Sequence, residues 1–173
     1  MNKYYDWLKA GLRKLSEDFS SGNFSPRNES DIKCHLYHSL LLAKADFQRL
    51  TPRHVVLSEF SIYDSQKKID LAIAKKKKEG YEPRLLIEIK ETSKDHLPAS
   101  DIKNRVEKDI VKLRRYKKEV QNRDTRIIKN YRKPVIFFFF RGASRHGIGL
   151  ETDPILKQLK NRYDDVILEW GPR

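Results

Sequence analysis

Residues 134–142 read PVIFFFFRG and set six consecutive apolar side chains, Val135 to Phe140, between a proline and an arginine–glycine stop. No polar position breaks the run, so neither face of the strand is marked for water. That is the pattern of a central strand covered on both faces, as parallel strands usually are. The segments before it supply its surroundings. An apolar stripe of Trp7, Leu8, Leu12 and Leu15 predicts a first helix over about 4–19. Ile32, Leu36, Ser39, Leu40 and Ala43 predict a second from about Ser30 to Phe47, with Asn28 as N-cap.

Three strand-like segments follow: HVVLSEFSIY, KKIDLAIA and RLLIEIKET. A long helix is expected over roughly 99–122, with Ser100 as N-cap and a seam of Ile102, Val106, Ile110, Leu113 and Val120. The tail adds a helix near 154–163 and a short strand, VILEW. This order predicts one α/β domain spanning 1–173, a single mixed sheet with helices on both faces.

The chain has 173 residues and a formal net charge of +13, from 37 Lys and Arg against 24 Asp and Glu. Such an excess favours polyanionic partners, nucleic acid foremost. No apolar run approaches the roughly 20 residues of a membrane span, and the first residues lack the apolar core of a secretory signal. Cys34 is the single cysteine, so a reducing, cytoplasmic setting is the expectation.

The chemistry concentrates on the second and third strands. Ile69, Leu71 and Ile73 alternate with Asp70, Ala72 and Ala74, and Leu85, Ile87 and Ile89 alternate with Leu86, Glu88 and Lys90. KKEGYE between them reads as a hairpin turn. Paired positions in an antiparallel hairpin have a constant sum, and both Asp70 with Glu88 and Asp70 with Lys90 centre the turn within that segment. The three charges therefore fall on one face, with opposing Cβ atoms about 5 Å apart. Two carboxylates at that spacing repel unless a cation compensates. The other reading is a solvent-facing Glu88–Lys90 ion pair.

Asp70 followed by Glu88-Ile89-Lys90 on the next strand resembles the D…(D/E)xK signature of the PD-(D/E)xK nuclease superfamily. NESDIKCHLYHSL, with Glu29, is similar to the first core helix of that family. The order helix, three-strand meander, helix, strand extends the resemblance over about 29–141. Asp70 follows Ile69 where the name-giving motif has proline.

The resemblance implies a restriction-endonuclease-like core and a Mg²⁺-dependent DNA nuclease, with Mn²⁺ as substitute. It implies Asp70, Glu88 and the Ile89 carbonyl as metal ligands, Lys90 as the catalytic lysine, and Glu29 reaching the same site. The products would carry a 5′-phosphate and a 3′-hydroxyl, and a homodimer suits members that cut both strands. An RNA-processing nuclease or a non-catalytic binding module on the same fold are the alternatives.

Lys112, Arg114 and Arg115 in KLRRYKKEV, with Arg141 and Arg145, are the candidate phosphate contacts. The bland reading of KLRRYKKEV is the solvated face of a helix. The Lys75–Lys78 run reads as a loop that touches DNA without specificity. Glu29 would equally serve as an acid at a helix N-terminus, and Glu59 as a solvated carboxylate. His35 and His38 lie at i, i+3 without a third ligand in step.

Overall fold

The computed structural model describes residues 3–47, 50–61, 68–92, 99–123, 133–140 and 154–171. In chain order the elements are α1 (Lys3–Ser20), α2 (Glu29–Ala43), a 3₁₀ turn (Lys44–Asp46), β1 (His54–Phe60), β2 (Ile69–Lys77) and β3 (Gly80–Thr92). Then follow α3 (Ala99–Arg123), β4 (Val135–Phe140), α4 (Pro154–Arg162) and β5 (Ile167–Gly171). The five strands form one sheet in sequence order. β1, β2 and β3 are an antiparallel meander, while β4 and β5 run parallel to β3 and to each other. The sheet is therefore mixed, and its parallel part is centred on β4.

Alternation along the strands divides the core into two layers. Leu71, Ile73, Leu85, Ile87, Ile89, Val135, Phe137 and Phe139 pack on Trp7, Leu8 and Leu15 of α1 and Ile32, Leu36 and Leu40 of α2. Ala72, Leu86, Ile136 and Leu168 pack on Val106, Ile110, Leu113 and Tyr116 of α3 and Leu159 of α4. Burying each large apolar side chain contributes about 1.5–3 kcal/mol. Ile69, at the start of β2 and paired with Phe60, joins the α3 layer instead of the α1/α2 layer that its alternation with Leu71 suggests. Ile102 and Val120, expected in the α3 seam, have side chains outside the described set.

Asn28 caps α2 as anticipated, its side chain accepting from Asp31 N at 3.0 Å. Helix α3 already includes Ala99, which places Ser100 inside its first turn and not at the cap. No helix among the described residues is long and apolar enough to cross a membrane.

Two close contacts fasten α1 to α2. Trp7 Nε1 donates to the Leu40 carbonyl at 2.7 Å. Opposite Leu40, position 11 is glycine, and a Cβ built there would lie 2.7 Å from Leu40 Cδ2 and 3.0 Å from Cγ. Leu40 is fully buried and has no room to retreat. Gly11→Ala is accordingly expected to lower stability despite the better helix propensity of alanine. Overpacking costs about 1–3 kcal/mol against a propensity gain of at most about 1 kcal/mol. Thermal unfolding followed by circular dichroism measures the balance, and an unchanged or raised midpoint would refute it.

Candidate active site

The hairpin register carries the site. Leu71 pairs with Ile87, Ala72 with Leu86 and Ile73 with Leu85, and one step further along the same register sets Asp70 opposite Glu88. Beyond a shift between Ile73 and Ala74 the pairs become Ala74–Pro83, Lys75–Glu82, Lys76–Tyr81 and Lys77–Gly80. A bulge is a place where a strand tolerates proline. The hairpin is longer than its apolar alternation suggests. Lys75 to Lys77 belong to β2 and not to a loop, because Glu82 lies across from them and binds both Lys77 at 3.2 Å and Arg84 at 2.7 Å.

The backbone pairing of β2 with β3 stops at Leu71–Ile87, and the Asp70 side chain takes over from there. Its Oδ2 accepts from Ile89 N at 2.8 Å. An extended residue directs its N–H and C=O to the same strand edge, so the Ile89 carbonyl also lies on the Asp70 side. Glu88 and Lys90 share the parity of Leu86 and therefore face α3. Glu88 is 1% exposed.

Helix α3 brings two residues that sequence reading did not place here. Asp109 lies 3.5 Å from Lys90 Nζ, and Lys112 Nζ lies 2.7 Å from Glu88 Oε1. Positions three apart share one helix face, and the signal in the sequence was an aspartate beside the buried stripe of Val106, Ile110 and Leu113. Glu29, the first residue of α2, brings its Oε1 to 3.7 Å from Lys90 Nζ. Lys33, one turn along, is ion-paired with Glu59. Glu59 is exposed, as a solvated carboxylate would be, and there it bonds Lys33; its φ of 51° is a left-handed value uncommon for glutamate.

Four carboxylates, Asp70, Glu88, Asp109 and Glu29, thus face two ammonium groups, Lys90 and Lys112. The imbalance shows in the titration behaviour. Burial, reinforced by the Asp70 charge, pushes the Glu88 carboxyl up to about 8 although Lys112 pulls the other way. Burial also raises Asp109 and Glu29, each partly offset by Lys90. For Lys90, burial acts to discharge the amine, but Asp109, Glu29, Asp70 and Glu88 together outweigh it and raise its pKa.

Glu88 Oε1 and Asp109 Oδ2 are buried without an aligned hydrogen bond, having only the neighbouring ammonium groups. Buried acceptors of this kind are costly. Among the described residues, no three His, Cys, Asp or Glu side chains form a ready-made ion cage. The donor set still fits Mg²⁺, which keeps several waters and takes only one or two carboxylates beside substrate phosphate.

The other expected contacts are distributed differently. Arg114 makes a two-pronged bond to Asp165, at 2.9 and 2.8 Å, and lies over the Tyr163 ring at 5.3 Å. Arg115 pairs with Glu119 one turn along α3. Lys112 points into the site, so these three do not form one outward strip. Arg141 and Arg145 lie outside the described residues. His35 bonds Asp18 at 2.9 Å and stacks on Phe24, which gives it a structural partner.

The molecule is thus an α/β protein with one mixed five-stranded sheet between helices, its acids and lysines gathered where β2, β3, α2 and α3 meet. No family model, curated protein or solved structure matches the chain.

Proposed function

We propose that this chain is a metal-dependent phosphodiester hydrolase acting on DNA, built on the restriction-endonuclease-like core of the PD-(D/E)xK superfamily. The observation that carries the reading is the Asp70 carboxylate accepting from Ile89 N at 2.8 Å, between Glu88 and Lys90 on the neighbouring strand. Around this trio four carboxyl groups meet two ammonium groups, a donor set that a divalent cation would complement once Glu88 is ionised. The +13 of the whole chain supports a polyanionic substrate.

Asp70, Glu88 and the Ile89 carbonyl would hold the ion. Bound there, Mg²⁺ supplies Lewis-acid polarisation of a phosphoryl oxygen and a water acidic enough to attack near neutral pH. The chain's own residues do the rest. Asp70, tied to Ile89 N, fixes the spacing of the two strands where they part. Lys90, kept charged by its acidic neighbours, is positioned to steady charge that develops on the phosphate. Glu29 and Asp109 flank the Lys90 ammonium from α2 and α3.

The test is a cleavage assay with Mg²⁺ or Mn²⁺ across duplex, flap, four-way-junction and single-stranded DNA. At least one form is expected to be cut by the wild type. Asp70→Ala should abolish cutting while DNA affinity stays within a few-fold. A protein that binds DNA but cuts none of these forms would overturn the hydrolase reading. It would favour a second one, a non-catalytic nucleic-acid-binding module. One observation favours that module: Glu88 already has an ammonium partner, Lys112, at 2.7 Å.

A further inference from the structure

Lys112 is the site residue that the hydrolase reading leaves without a task. It projects from α3 one turn after Asp109, and its Nζ stands 2.7 Å from Glu88 Oε1 without aligned hydrogen-bond geometry. The two partners differ in freedom. The Glu88 side chain is 1% exposed and anchored in a strand paired on one side with β4, while that of Lys112 is 21% exposed on a helix face. Glu88 has nowhere to go, whereas a lysine stem can swing its ammonium to water. Lys90, by contrast, is held between Asp109 and Glu29 at 3.5 and 3.7 Å. Exposure does not separate the two lysines, 21% against 19%, but Lys112 has one ion-pair partner among the described residues where Lys90 has two, so Lys112 is the cation more readily released.

Two cations cannot share one carboxylate oxygen without repelling each other. Resting on the proposed metal site, we infer that Lys112 is an internal counter-ion seated on Glu88 that must withdraw before a divalent ion binds. It is a positioning residue that sets metal affinity, a built-in brake on the site. In the exchange one ammonium leaves Glu88, any proton on its carboxyl is released to solvent, and one dication takes their place.

The test measures metal binding without substrate. Mn²⁺ is titrated into the full chain, with free Mn²⁺ read by electron paramagnetic resonance. Lys112→Gln is expected to bind Mn²⁺ tenfold or more tightly than wild type, and Lys112→Arg, which keeps the charge, to show no such gain. Lys112→Met preserves the stem's packing and should tighten binding as Lys112→Gln does, which separates charge from folding defects. A merely structural lysine would not raise affinity on removal. If both neutral variants bind as wild type does or more weakly, while Glu88→Gln loses the ion, the brake is refuted and the metal site stands. If neither wild type nor the neutral variants bind Mn²⁺, the metal site itself fails and the brake with it.

Discussion

Lys90→Ala is expected to lower the single-turnover cleavage rate by roughly 10²- to 10³-fold at saturating Mg²⁺, the scale of losing one preorganised charge at a reacting centre. The prediction starts from where Lys90 sits. It is on the strand two residues past Glu88, with a side chain 19% exposed and Asp109 and Glu29 on either side. Those acids, with Asp70 and Glu88, outweigh the discharging effect of burial. The ammonium is therefore present at neutral pH, and alanine removes a full charge.

The substitution also strands Asp109, a buried carboxylate whose ammonium neighbour would be gone. A stability loss must accordingly be separated from a catalytic one. Circular dichroism melts identify a temperature at which the variant is folded, and rates are compared there. Lys90→Arg restores charge but not the compact ammonium geometry, so only partial recovery is expected. DNA affinity should change by no more than a few-fold, because phosphate contacts elsewhere dominate it. An alanine variant cutting within about threefold of wild type would remove Lys90 from the chemistry.

Glu88→Gln should stabilise the protein at alkaline pH and leave it nearly unchanged at acid pH. The sign follows from proton counting. In the unfolded chain the carboxyl titrates near 4.5, whereas in the fold burial and Asp70 push it up to about 8. Between those values the folded state holds a proton that the unfolded state has released, so stability falls as pH rises. The stability from the protonated acid is complete below 4.5 and is lost by the time pH has passed 8.

Glutamine keeps the shape and never ionises. Its advantage over wild type should grow to about 3–5 kcal/mol at pH 8.5, measured by urea unfolding at pH 4.5 and pH 8.5. A gap of equal size at both pH values would show that Glu88 is not the titrating group. Saturating Mg²⁺ should recover the wild type at pH 8.5 and not the variant, since an ion that binds the ionised, folded site stabilises it by mass action.

Much of this site was legible in the chain because it is local. A hairpin fixes its side-chain neighbours through a ladder of backbone bonds, so the alternation in KKIDLAIA and RLLIEIKET with a turn between them was enough to bring Asp70 beside the Glu88–Lys90 segment, with the choice of partner left open. The N-cap at Asn28 was readable for the same reason, its bond spanning three residues. The apolar run from Val135 to Phe140 required cover on both faces, and Phe137 and Ile136 do pack into opposite layers.

Where a short-range rule had a competitor, the reading slipped. Lys75 to Lys77 look like a loop by composition, but backbone pairing with Glu82, Tyr81 and Gly80 keeps them in the strand, and Glu82 also pairs with Lys77. The nuclease chemistry was suggested by a family resemblance and remains a proposal to be tested by cleavage and metal binding.

What the sequence determined by itself was the hairpin and the two-faced strand beside it, with the register narrowed to two choices. Only the tertiary structure decided that Asp109 and Lys112 turn inward to Lys90 and Glu88, that Glu29 closes on Lys90 from α2, and that Arg114 pairs with Asp165. The physical reason is that helix docking has no ladder to count along. Which face of α3 meets the sheet is set by the fit of Val106, Ile110 and Leu113 against Ala72, Leu86 and Ile136. The charges flanking that seam are carried to wherever the packing leaves them.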